Sequence, residues 1–186
     1  MQKGIGMSDA RDVPSWDEYF LNMSGLAKSK SRDRSSQVGC VIVGDGNSVL
    51  SMGYNGFPRG VRDNIEERHI RPLKYKFTEH AERNAIYNAA RNGICLLGSR
   101  IYVHIWPCTD CARAIIQSGI SKIIMDGRGY TENVRAWSER WEDDFNIAHE
   151  LLMEGGVFSV VWFPKTNGFG EHCTVANSYN WKSLEE

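Results

Sequence analysis

The 186-residue chain has little of what would place it at once. Its five cysteines, Cys40, Cys95, Cys108, Cys111 and Cys173, are odd in number and too sparse for a disulfide scaffold of this length. Reduced thiols and a cytoplasmic location are therefore expected. No run approaches the ~18 apolar residues needed to span a bilayer, so no membrane partner is expected. The N-terminal MQKGIGMSDARDVP lacks the apolar core of a secretory signal. Positive charge is not in excess: 22 Lys and Arg stand against 23 Asp and Glu, a net charge of −1. Tracking a long phosphate backbone usually needs a basic excess, so no nucleic-acid partner is expected, although a local basic cluster can still hold a small anion. Internal repeats and low-complexity segments are also missing. What is present, 41 % hydrophobic and 24 % charged residues, is the composition of an ordinary globular domain.

Residues 1–14 are polar and read as a flexible N-terminus. From Ser15, a helix cap, the residues Trp16, Tyr19, Phe20, Met23, Leu26 and Ala27 recur at helical spacing and predict a helix over 16–29. A basic, serine-rich loop follows at 28–37. VGCVIVG (38–44) reads as a buried strand, GDGN (44–47) as a hairpin turn and SVLSMGYN (48–55) as the return strand. Residues 56–78 have no firm period and read as a long loop with room for a helical turn, a kind that is often functional. Helices are expected at 80–91, 108–118 and 132–154, and strands at 100–105, 122–126 and 157–163. This order predicts a three-layer α/β/α domain over 15–164 with a mixed sheet of about five strands. Residues 165–186 are expected to form a tail packed on the surface or on a subunit interface.

Two short motifs carry the chemistry. In TEHAERNA (78–85), His80 and Glu82 sit two residues apart at a helix start. Side chains at i and i+2 point ~200° apart around a helix, so the pair can converge only on something beyond its N-terminal end. WPCTDCA (106–112) supplies Cys108 and Cys111 at a second helix start, where the dipole and free N–H groups favour thiolates. Zinc prefers a tetrahedral sulfur and nitrogen set, and a catalytic site leaves the fourth position for water. His80, Cys108 and Cys111 are thus the candidate ligands, with Glu82 aimed at the water. His-x-Glu followed by Pro-Cys-x-x-Cys is the pattern of zinc nucleobase deaminases. Zinc would lower the pKa of the water towards ~7. Glu82 would carry its proton to ring N3 and then to the departing amine as C4 of a cytosine is attacked. A redox Cys pair fits less well after a middle strand. A closed structural zinc would need Cys40, Cys95, His104 or His172 as fourth ligand, and none has ligand-like spacing.

The runs WDEYF (16–20), SKSRDRSSQVGCVIV (29–43), GYNGFPRG (53–60), HAERNAI (80–86) and PCTDCARAIIQSGI (107–120) resemble the deoxycytidylate (dCMP) deaminase family of the cytidine-deaminase-like superfamily. The resemblance implies hydrolytic deamination of dCMP to dUMP with one zinc per chain. It implies that Asn55 contacts the sugar and that the loop with Ser35 and Gln37 meets the 5′-phosphate. Lys28, Lys30, Arg32 and Arg34, interleaved with serines, suit a phosphate, although a solvated basic loop has the same composition. Tyr130 is a candidate for packing on the base. The resemblance also implies a homo-oligomer, a hexamer in many members, activated by dCTP and inhibited by dTTP with Mg²⁺ on the triphosphate. It assigns Arg91, with Tyr54 and Gly56, to that regulation. A second, structural zinc is not expected, because Thr78 stands where an acidic ligand would be needed. The segment 137–152 is longer and more acidic than the resemblance leads one to expect. Three other readings stay open: deamination of another cytosine nucleoside or nucleotide such as dCTP, deamination of tRNA or single-stranded DNA, and nucleotide sensing without turnover. An intact Glu82 argues against the sensor.

Overall fold

The computed structural model describes residues 12–129, 141–163 and 171–174. Helix α1 spans Trp16–Lys28, with the Ser15 side chain accepting from the Glu18 N–H and Asp17 and Glu18 in the first turn. Acidic groups there complement the helix dipole. The helix forms where its periodicity predicts, but its buried face is rotated. Phe20, Leu21, Ser24 and Ala27 are buried, whereas Trp16, Tyr19 and Leu26 are 58 %, 45 % and 71 % exposed. The reason is close packing on strand β1 (Gly39–Val43). A Cβ at Gly39 would collide with the backbone of Ser24 and Lys28, so the helix lies directly on the strand there.

Strand β1 pairs antiparallel with β2 (Val49–Tyr54) through a tight turn at Asp45–Asn47, where Gly46 and Asn47 take φ of 62° and 61°. The segment between β2 and the next long helix is more ordered than a loop. It contains a 3₁₀ turn at Glu66–His69 and the short helix α2 (Lys74–Phe77). Then follow α3 (Ala81–Arg91), β3 (Arg100–Val103), α4 (Thr109–Gln117), β4 (Lys122–Asp126), α5 (Glu142–Glu154), β5 (Phe158–Phe163) and β6 (Glu171–Thr174). Residues 132–140 of the expected last helix lie outside the described residues.

The sheet order is β2-β1-β3-β4-β5-β6. Strands β3, β4 and β5 are parallel, and β1 is antiparallel to both its neighbours. Strand β6 adds itself antiparallel to β5, so the expected C-terminal tail contributes a sixth strand beyond the expected five. Its residues, EHCT, are too polar and too few to signal a strand alone; the exposed edge of β5 supplies the missing hydrogen-bond partners.

Alternation along the strands sorts the core into two faces. Val41, Val43, Tyr102, Ile124 and Trp162 pack with Phe20 and Leu21 of α1. Cys40, Ile42, Ile101, Val103, Ile123 and Met125 pack against α3, α4 and α5 through Ala85, Ala89, Ile115, Phe145 and Leu152. Gly53 lets α3 lie directly on β2, since a Cβ there would collide with Ala81 O and Ala85 N. This close approach sets the depth at which α3 begins, and therefore where His80 and Glu82 stand. No helix among the described residues is long and apolar enough to cross a membrane.

Candidate active site

Two helix starts meet beside the C-terminal end of β3. His80 is the N-cap residue of α3 and Cys108 that of α4, both with extended backbone. Cys111 lies in the first turn of α4 and is buried. The Cys108 and Cys111 sulfurs lie 3.4 and 3.6 Å from His80 Nδ1. All three ligand atoms are within 4.8 Å of one another. With bonds of ~2.3 Å to sulfur and ~2.0 Å to nitrogen, a tetrahedral zinc site has S···N edges of about 3.5 Å. The three side chains therefore fit zinc. Among the described residues no other cluster of three such groups occurs. His104 is engaged instead with Ser24 Oγ at 3.2 Å and Asp126 at 3.4 Å, and Cys95 is exposed.

The thiols and the carboxyl respond to being crowded together. Cys108 is lowered to about 4, chiefly by a hydrogen bond from Cys111 and then by His80, against the opposing effect of burial. Cys111 goes the other way, held up by that same bond to Cys108 and by burial. His80 is raised, first by its contact with Cys108. Glu82 is buried, and burial raises its carboxyl pKa, with His80 opposing. A dication would favour the second thiolate and the carboxylate together.

Several residues invisible in the motifs hold these groups in place. Glu79 accepts from the His80 backbone N–H at 3.0 Å and pairs with Arg83 at 2.5 Å. Arg83 also reaches Asp110 at 3.2 Å, and the nearby cysteines and Glu79 favour its charge although burial opposes it. Asp144 of α5 accepts from the Thr109 N–H at 3.0 Å and from its hydroxyl at 2.7 Å, satisfying an orphan donor at the start of α4. The acidic run at 142–144 was the available signal, but its partner could be known only from the fold.

A pocket of about 100 Å³ opens onto His80, Cys108 and Glu82. Ile105, Trp106, Trp141 and Phe145 form apolar walls, and Asn55, Asp33 and Lys74 form a polar one. Of the expected substrate residues that the structure describes, only Asn55 lines this pocket. Its amide is already engaged: Oδ1 accepts from Val38 N and Nδ2 donates to Ser36 O, both at 2.8 Å. Ser35 Oγ accepts from Lys74 Nζ at 3.0 Å, and Gln37 Nε2 donates to Asp33 O. The basic loop is not free as expected. Arg34 is paired with Glu66 through contacts of 2.5 and 2.8 Å, and Arg32 with Asp63 at 2.9 Å. The 56–78 segment lies against the loop and pairs two of its four cations, a pairing that neither stretch shows alone. Tyr54, Gly56, Arg32 and Arg34 line a second cavity of about 280 Å³. Arg91, at the exposed end of α3, lines neither cavity. Tyr130 lies outside the described residues.

Fold and site together define a hydrolytic deaminase, and comparison with known proteins agrees. The family described as the cytidine and deoxycytidylate deaminase zinc-binding region matches residues 14–126. An uncharacterized deaminase encoded in the luxG 3′ region of Aliivibrio fischeri is 38 % identical over 152 residues, 82 % of this chain and 96 % of that protein. Human deoxycytidylate deaminase is 36 % identical over 134 residues, 69 % of this chain and 74 % of the human one. The crystal structure of dCMP deaminase from cyanophage S-TIM5 with dCMP and dUMP superposes with a TM-score of 0.60 at 25 % identity, covering 81 % of this chain and 99 % of that one. The chain belongs to the cytidine and deoxycytidylate deaminase family.

Proposed function

We propose that the protein hydrolyses dCMP to dUMP and ammonia, with His80, Cys108 and Cys111 holding zinc. When bound, zinc acts as a Lewis acid and lowers the pKa of an adjacent water towards ~7. Glu82 takes a proton from the attacking water and delivers it to N3 of the cytosine. Glu82 then takes the water's second proton from the C4 hydroxyl and passes it to the exocyclic amine, which leaves as ammonia as the C4–N bond breaks and the C4 carbonyl of dUMP forms. Burial raises the Glu82 carboxyl, which strengthens it as a proton acceptor for this double duty. Trp106, Phe145 and Ile105 offer the base an apolar enclosure. The observation that carries the reading is the three ligand atoms within 4.8 Å at a pocket that also holds Glu82.

The test is ammonia release from zinc-loaded protein with dCMP, deoxycytidine, dCTP and CMP side by side. Highest kcat/KM on dCMP supports the reading; silence on all four with zinc bound overturns it. A second reading, another cytosine nucleoside or nucleotide as substrate, draws on the Arg34–Glu66 pair, which occupies a cation expected to meet the phosphate. Preference for deoxycytidine in the same assay would favour it.

We propose further that Mg²⁺ complexes of dCTP and dTTP act at the second cavity, and that the protein is a cytoplasmic homo-oligomer, a hexamer. Lys30 beside Tyr54 and Gly56 supports an anionic effector there, which Arg32 and Arg34 could join on leaving Asp63 and Glu66. We propose a deaminase domain over 15–164, with 165–186 packed on the surface or on a subunit interface. Stimulation by dCTP and light scattering check both.

A further inference from the structure

The wall between the two cavities holds a buried ion pair that the chemistry above does not use. Asp33 and Lys74 line both cavities, and their side chains are 5 % and 9 % exposed. Lys74 Nζ contacts Asp33 Oδ1 at 2.7 Å and Oδ2 at 2.6 Å, and donates to Ser35 Oγ at 3.0 Å. Its three protons are thereby used. Asp33 Oδ1 also accepts from Ser35 N at 2.9 Å and Ser36 N at 3.1 Å. Burial would raise the Asp33 carboxyl, but Lys74 and these two amides hold it below its ordinary value.

From Asp33 the bonds run in a closed circuit. Ser36 O accepts from Asn55 Nδ2 at 2.8 Å, Asn55 O accepts from Ser31 Oγ at 2.8 Å, and Ser31 Oγ accepts from Asp33 N at 3.2 Å. Asn55 Oδ1 also receives the Val38 N–H. Each member of this circuit places the next, and Asn55, Ser36 and Val38 are pocket wall. The ion pair and its hydrogen bonds tie the two segments of this wall together and help fix its position.

We propose that Asp33 and Lys74 are positioning residues for the substrate pocket: their buried pair locks the 33–38 loop and Asn55 into the shape that binds substrate, and so sets KM rather than kcat. The inference rests on the reading of that pocket as the substrate site. Neither residue reaches the metal ligands, so the proton transfers by Glu82 are left intact. Removing one partner strands a charge in the wall, and the loop must open to hydrate it. Removing both charges while keeping an acceptor at position 33 does not.

The experiment uses the full chain with Asp33→Asn, Lys74→Met and the double variant. The amide introduced at position 33 keeps an oxygen to receive Ser35 N and Ser36 N, and the thioether introduced at position 74 keeps the stem volume. Each single change is expected to raise KM for dCMP about tenfold or more, with kcat within about twofold and zinc content unchanged. The double variant is expected to return KM to within about threefold of the parent, a coupling that independent contributions would not show. Hydrogen exchange should show the amides of Ser35, Ser36 and Val38 losing protection in the single variants and regaining it in the double, with β3 unaffected. Unchanged KM, or additive KM effects, overturns the inference even if thermal stability falls. If the parent releases no ammonia from dCMP, the substrate reading fails instead. The exchange pattern then decides: the stated loss and recovery upholds the positioning role, and no change overturns it.

Discussion

Replacing Glu82 by Gln should separate activity from stability, with opposite signs. Glu82 is the second residue of α3, 5 % exposed, and not one of the three clustered ligands. Glutamine keeps its volume and removes its ability to carry a proton. A positioned acid–base group contributes ~10²–10⁴ to rate, or ~3–5 kcal/mol of barrier at 1.36 kcal/mol per decade. Turnover should fall by at least that factor while zinc stays at one per chain. Stability of the metal-free protein should move the other way. The Glu82 pKa is raised in the fold from an ordinary 4.5. Below 4.5 the carboxyl is protonated in both folded and unfolded chains, and the variant gains nothing. As pH rises above 4.5 the unfolded chain ionises first, and the parent loses stability that the variant keeps. At neutral pH the metal-free variant should therefore be the more stable. Ammonia release, metal analysis and urea midpoints at pH 4 and pH 7 measure the three quantities. A variant with zinc bound and more than about a tenth of parental turnover would refute the proton-shuttle role.

Cys108→Ala should lose both zinc and turnover, because two ligands cannot keep a tetrahedral site; metal analysis after dialysis decides it. Asp144→Ala leaves the Thr109 N–H without its acceptor, and should cost ~1 kcal/mol in urea unfolding and weaken zinc retention about tenfold or more. Asp126 is buried, which would raise its carboxyl, yet contacts from His104 and Arg128 depress it well below its ordinary 3.8. A depressed carboxyl stabilises the fold above 3.8 and loses that contribution as pH falls towards its folded value. The stability gap between parent and Asp126→Asn should therefore be widest above pH 4 and close in stronger acid, as thermal melts along a pH series will show.

The clustered His80, Cys108 and Cys111, Glu82 beside them and the order of the longer helices and strands through β5 were legible in the sequence by itself. Each depends on local chemistry: a two-residue His–Glu spacing at a helix start, a Cys-x-x-Cys after Pro107, and apolar runs of period two or 3.6. Such signals are carried by neighbours in the chain, so they survive without tertiary knowledge. The sequence did not reveal which face of α1 is buried, because Trp16 and Leu26 are as apolar as Phe20 and only the close approach at Gly39 selects among them. It also did not reveal that EHCT would extend the sheet, since an edge strand draws its hydrogen bonds from β5 rather than from its own side chains. The polar wall was decided furthest from sequence. Arg32, Asp33 and Arg34 read as one basic loop, but their charges are assigned by Asp63, Lys74 and Glu66, roughly thirty to forty residues away. Only when the fold lays the two segments side by side do those charges meet. Coulomb attraction then turns that loop into a set of specific pairs, strongest at the buried Asp33–Lys74 and screened by water at the exposed Arg32–Asp63 and Arg34–Glu66.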